Sequence, residues 1–184
     1  ARMNAAQATP THPLGIPLTW GGGKPYAWHW SYLDSDGAAL GHVVRYEDGD
    51  GKDCVPFFNR EGKRWKPGYD ADARPLYGLN TLPVDRGRTV YVAEGEKCAA
   101  AMAGLGMPCV TSPGGSRAAL KADWAPLTGY ARVVVLPDSD EPGEAYAADV
   151  LAALRALPKP PENMLIVRIP GLAESGDVVD WLQE

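Results

Sequence analysis

Residues 132–157 read RVVVLPDSDEPGEAYAADVLAALRAL, and this stretch decides the fold class. Arg132–Leu136 is apolar on both faces once the leading arginine is passed, as a parallel strand buried between two layers requires. A turn carrying Asp138 and Asp140 follows. A helix over 144–157 comes next, with Tyr146, Val150, Leu154 and Leu157 on one stripe. Strand, acidic turn and amphipathic helix make one step of a β–α alternation.

The step recurs on either side. TVYVA (Thr89–Ala93) is a strand ending at Glu94, and 97–105 is an Ala-rich helix stopped by Gly106. Pro108–Thr111 predicts a second strand and 116–127 a helix broken near Pro126. Met164–Ile169 predicts a fourth strand and Asp177–Gln183 a closing helix. The expectation for 88–184 is therefore α/β: a parallel four-stranded sheet flanked by helices. Before it, the pattern is different. YAWHWSYLD alternates, and Asp36-Gly37, Asp50-Gly51 and Glu61-Gly62 are hairpin turn signals. Residues 24–87 read as a small antiparallel β-rich module closed by PLYGLNTLP. Residues 1–23, with Pro10, Pro13, Pro17 and Gly21-Gly22-Gly23, read as an extended arm or linker.

Composition excludes several classes. The 184 residues are 45% hydrophobic and 22% charged, with net charge −5, so this is a globular chain and not a coating protein for nucleic acid. Cys54, Cys98 and Cys109 show no CxxC or Cys/His spacing, which argues against zinc and for a reduced, cytoplasmic protein. No run approaches the roughly 18 apolar residues of a membrane span, and no signal peptide is visible. No GxxxxGK[ST] motif occurs, so the chain is no nucleotide-driven motor. The absent initiator Met and the amphipathic end DVVDWLQE read as a piece of something longer.

Glu94, Asp138 and Asp140, and Asp177 and Asp180 follow strand-like runs. In a parallel sheet, strand ends that precede helices share one edge, where these acids converge. Clustered carboxylates repel unless a cation neutralises them, and hard oxygen ligands suit Mg²⁺ or Mn²⁺. The pattern points to metal-dependent phosphoryl transfer. Each acid also has a local explanation: Glu94 at a helix start favoured by the dipole, Asp138 and Asp140 as turn formers or an N-cap. Capping explains Asp177 and Asp180 nearly as well as metal ligation does. Gly143 allows close backbone approach to a ligand.

EGEK at 94–97, the DxD within LPDSDEPG at 136–143 and GDVVDWL at 176–182 together resemble the Toprim domain. That family includes primases, topoisomerases, recombination mediators and some nucleases. The resemblance implies Glu94 as general acid/base or metal ligand, Asp138 and Asp140 as the metal-binding pair, and Asp177 and Asp180 as the downstream acids. One departure is Cys98, where many primases carry an acid.

The preceding run, YLDSDGAALGHVVRYEDGDGK to RPLYGLNTL, resembles the segment ahead of Toprim in phage- and plasmid-type primases and primase–helicases. That implies a nucleotidyltransferase making primers on single-stranded DNA from nucleoside triphosphates, with a replicative helicase domain in cis or trans. A Toprim nuclease and a non-catalytic nucleic-acid-binding module are the alternatives. Arg60, Lys63, Arg64 and Lys66 would meet phosphates, and Trp65 either stacks on a base or sits in a core. Lys97 and Arg117, near the acidic edge, are candidates for nucleotide phosphates. The PGGS turn at 113–116 either presents backbone N–H groups to an anion or is a plain connector.

Overall fold

The computed structural model describes residues 12–62, 64–69 and 73–183. They divide into two compact units, one holding residues up to Ser31 and Gly41–Asp70, the other Tyr32–Leu40 and everything from Ala71.

The first unit is built on a four-stranded sheet in the order β1-β2-β3-β4, comprising β1 (Thr19–Trp20), β2 (Lys24–Leu33), β3 (Ala39–Asp48) and β4 (Gly51–Phe57). A two-stranded ribbon, β5 (Asn59–Glu61) and β6 (Arg64–Lys66), completes it. Turns fall where the sequence places them: Gly37 and Gly51 both adopt positive φ, and β3 and β4 pair antiparallel from His42↔Phe57 to Asp48↔Gly51. The core is Ile16, Val44, Tyr46, Val55, Phe57 and Trp65, with Trp20 and Tyr26 against it.

Two boundaries differ from expectation. Residues 1–11 lie outside the described part, but the expected arm is anchored to the first unit around Ile16. Ile16 is fully buried, Thr19–Trp20 pairs with Lys24–Pro25, and the Pro17 carbonyl accepts the Tyr46 hydroxyl at 2.9 Å. Burial of Ile16 outweighs the proline-rich composition. At the other end, PLYGLNTLP belongs to the second unit. Leu76 is fully buried in that unit's core, and Tyr77 forms an antiparallel bridge with Thr111.

The second unit is a fully parallel sheet in the order β10-β9-β7-β8: β7 (Thr89–Ala93), β8 (Cys109–Val110), β9 (Arg132–Leu136) and β10 (Asn163–Ile166). Side-chain alternation sorts the strands into two faces. Val90, Val92, Val133 and Val135 bury with Tyr146, Val150 and Leu154 of α2 (Glu141–Arg155). Ala93, Val134 and Leu136 bury with Cys98, Ala99 and Met102 of α1 (Gly95–Gly104) and Val178 of α3 (Val178–Leu182). α1 ends in a Schellman arrangement: the Gly106 amide reaches the Ala103 carbonyl and the Met107 amide the Met102 carbonyl, with Gly106 at φ 75°.

The helix expected over 116–127 is instead two 3₁₀ turns, Ser116–Lys121 and Ala125–Leu127. The Arg74 amide takes the Lys121 carbonyl, and the Asp123 amide takes the Arg74 carbonyl. Those backbone groups are thereby lost to any helical ladder. Among the described residues, no helix is long and apolar enough to cross a membrane.

Candidate active site at the sheet switch point

β7 connects through α1 to β8 on one side, while β9, paired to β7 on the other, connects through α2 to β10. The connections diverge between β7 and β9, and ligands of open α/β sheets bind outside the carboxyl ends of the strands at such a point. Ala93 pairs with Leu136 there, so Glu94 and Asp138 emerge next to one another.

Glu94 is the N-cap residue of α1, yet its side chain makes no capping hydrogen bond. Its Oε2 is buried without a partner. Burial, and then the charge of Asp140, push its carboxyl up to about 6; a hydrogen bond from Ser116 pulls the other way. Asp138 Oδ1 is likewise buried and unpartnered. Burial raises the Asp138 carboxyl to about 7, reinforced by Glu94, Asp177 and Asp140 and opposed by Lys97. Two carboxylates thus converge in a desolvated place where neither is neutralised.

The other three acids have structural duties. Asp140 caps α2, its Oδ1 accepting from the Gly143 amide at 2.8 Å. Asp177 caps α3, its Oδ1 accepting from the Val179 and Asp180 amides at 2.7 and 3.1 Å. Asp180 Oδ2 returns the bond to the Asp177 amide at 2.9 Å, completing a capping box. Asp177 Oδ2 also pairs with Lys97 Nζ at 2.5 Å. Burial alone would raise the Asp177 carboxyl, but Lys97 and the α3 amides hold it below its ordinary value.

Several features that build the site were not legible in the sequence. The Ser139 amide donates to the Gly176 carbonyl at 2.9 Å and the Ser175 amide to the Ser139 carbonyl at 3.0 Å, tying the DxD turn to the loop before α3. Ser175 holds a positive φ of 59°, uncommon outside glycine. The fully buried Tyr146 hydroxyl lies 3.2–3.4 Å from Thr111 Oγ1, Ser112 Oγ, the Ser112 amide and the Ala93 carbonyl. It fixes the ends of β7 and β8. Thr111 Oγ1 in turn accepts from the Gly95 amide at 3.1 Å. The only signal for this hub was a tyrosine in an otherwise aliphatic stripe, since a buried phenol needs a partner. Glu96, also unassigned from sequence, accepts the Tyr32 hydroxyl at 2.7 Å. Gly143 approaches the backbone of the DxD turn itself: a β-carbon there would stand 2.9 Å from the Asp138 nitrogen.

Among the described residues, no group of three or more Asp, Glu, His or Cys side chains is arranged to hold a metal ion by itself. A hard cation such as Mg²⁺ keeps several waters and takes one or two carboxylates plus substrate phosphates. The orphaned oxygens of Glu94 and Asp138 are the observation favouring a cation here. A cavity of about 260 Å³ opens beside the DxD turn, with Asp138, Asp140, Arg168, Ile169 and Leu172 in its lining.

Compared by sequence, the chain matches no protein-family model and no curated protein. Compared by structure, it is similar to solved primase cores. A DnaG catalytic core matches with a TM-score of 0.59 at 18% identity, over 84% of this chain and 47% of that one. A DNA primase domain from Pseudomonas aeruginosa gives 0.59 at 17% identity, over 84% and 46%. The E. coli primase catalytic core gives 0.52 at 18%, over 84% and 47%. The chain has the fold of a primase catalytic core. It spans about half the length of those structures.

Within this primase fold the basic candidates fall in two places. Arg117 is exposed on the 3₁₀ turn after Gly114-Gly115, and Lys97 is paired with Asp177 as described. Arg60, Arg64, Trp65 and Lys66 share the β5–β6 ribbon of the first unit, while Lys63 lies outside the described residues. Trp65 offers no open face to a base. It is 8% exposed, part of the core, with the Arg60 guanidinium 5.2 Å from its ring centroid. Hydrophobic burial claims the indole, so its sequence position between cations was no guide to exposure. Lys66 pairs with Glu61, and Arg64 is exposed.

Proposed function

We propose that the chain is the catalytic core of a primase, a divalent-cation-dependent nucleotidyltransferase that joins nucleoside triphosphates into a primer on single-stranded DNA. The observation that carries this reading is the pair of buried, unpartnered carboxylate oxygens, Glu94 Oε2 and Asp138 Oδ1, at the switch point of a primase fold. Asp138 and Asp140 would hold Mg²⁺ or Mn²⁺, with Glu94 facing them. When bound, such an ion neutralises triphosphate charge and acidifies a coordinated hydroxyl.

The chain's own residues supply the rest. Glu94, raised to about 6 by burial and by the charge of Asp140, would accept the proton of an attacking 3′-hydroxyl. Ser116 orients it. Arg117 lines a cavity with Ser116 and Glu141 and would meet nucleotide phosphates. Arg64, exposed on the first unit, would meet the backbone of a nucleic acid, as would Lys66 on leaving Glu61. A replicative helicase domain of phage or plasmid type, in cis or trans, belongs to the same reading.

The test is incubation with single-stranded DNA, labelled nucleoside triphosphates and Mg²⁺ or Mn²⁺. Labelled product should grow, and Asp138→Ala should abolish it while circular dichroism shows the fold intact. Shortening of the template would make the protein a nuclease. No product and no shortening with either ion would leave a nucleic-acid-binding module.

A further inference from the structure

Five acids reach the same end of the sheet, but the positive charge they need is not shared evenly. Both oxygens of Asp177 are already engaged, Oδ1 by two amides of α3 and Oδ2 by Lys97. Asp180 is spent on the Asp177 amide. Among the described residues, the buried side-chain oxygens left without a partner are Glu94 Oε2 and Asp138 Oδ1. Lys97 reaches Asp177 from the first turn of α1, with its side chain 53% exposed and that of Asp177 16% exposed. The ammonium therefore stands between solvent and the downstream acid, close enough to Asp138 to act on its charge as well.

We infer that Lys97 is a tethered counter-ion that fills the second cation position of this site, so that the chain binds one divalent ion, held by Asp138 and Asp140 facing Glu94, and Asp177 is not a ligand. The inference rests on the proposal of a cation-dependent site. It reassigns Lys97 from nucleotide phosphates to the acids. The physical basis is that a fixed ammonium already hydrogen-bonded to a carboxylate neutralises it without dehydrating a second Mg²⁺, which gives up its waters reluctantly. An ion competing for Asp177 would have to displace a charge-assisted hydrogen bond at 2.5 Å and disturb the cap of α3.

The experiment counts Mn²⁺ bound to the full chain, without nucleotide, from the loss of the free-ion electron paramagnetic resonance signal. The wild type should bind one ion, and so should Lys97→Arg, which keeps the charge. Lys97→Met should bind two. Asp177→Asn, which still caps α3, should remain at one, whereas Asp138→Asn should lose the ion. Two ions on the wild type, an unchanged single ion in Lys97→Met, or loss of the ion in Asp177→Asn would each overturn the inference while leaving the cation site standing. No Mn²⁺ on the wild type would remove the cation site and this inference with it. The exposed position of Lys97 makes its variants foldable, and thermal melts of each verify it.

Discussion

Gly143, in the first turn of α2, lies directly against the peptide of Asp138, so that a β-carbon there would stand 2.9 Å from the Asp138 nitrogen and closer still to its carbonyl oxygen. The contact sets how near α2 comes to the DxD turn. Alanine is the better helix former by about 1 kcal/mol, but the atoms it would meet are backbone and cannot rotate away. Gly143→Ala should therefore destabilise the protein by about 1–3 kcal/mol, the usual range for overpacking. It should also weaken Mn²⁺ binding. Urea denaturation checks the first expectation and ion counting the second; a stabilised variant would show that α2 does not pack as tightly as described.

Removing the hydroxyl in Tyr146→Phe leaves the Ser112 amide, the Ala93 carbonyl and two hydroxyls without a common partner. The bonds are long, so about 1–2 kcal/mol is expected from the lost network. Hydrogen exchange at Gly95 and Ser112 should rise more than at Val150, one turn further along the same face of α2. Uniform loosening would mean that Tyr146 acts only as core volume.

The acids give a pH dependence with a definite sign. Asp138 is raised to about 7 and Glu94 to about 6, so between roughly pH 4 and 7 the folded state binds more protons than the unfolded one. Without metal, their contribution to stability falls as pH rises through that window. Asp138→Asn in EDTA should thus raise Tm at pH near 8 and change it little near pH 5. Each kcal/mol so gained corresponds to roughly 2–4 °C. A Tm gain that is the same at both pH values would show that Asp138 carries no such strain.

His42 in the first unit has the opposite sign. Burial, with help from His29, His12 and Arg60, lowers it to about 4, so the unfolded state binds more protons between that value and the ordinary histidine range. Its contribution is present above roughly pH 6.5 and is lost as pH falls toward 4. His42→Gln should flatten the acid-side loss of Tm relative to the wild type. An unaltered acid limb would place the sensitivity elsewhere.

Much of the second unit was legible because its signals are local. Two-sided apolar strands, an Ala-rich helix and one striped helix specify themselves from their own spacing, and an acid that follows a strand lands at a strand end wherever the sheet forms. The observed helices start earlier than expected, at Gly95 and Glu141, because Glu94 and Asp140 occupy the N-cap positions just before them. Trp65 and the 3₁₀ turns were less legible. An indole between cations looks the same in sequence whether buried or open, and the Arg74 pairing that breaks up 116–127 comes from over forty residues away.

From the sequence alone came the α/β class, the antiparallel module before it, and the acids at 94, 138, 140, 177 and 180. What only the tertiary structure decided is which of those acids are left with a buried oxygen that has no partner. Asp177 finds Lys97 and the amides of α3, while Glu94 and Asp138 meet at the switch point with no partner for one oxygen each. The physical reason is that side-chain periodicity is written within a few residues, whereas desolvation and charge pairing depend on groups that folding brings together from distant strands.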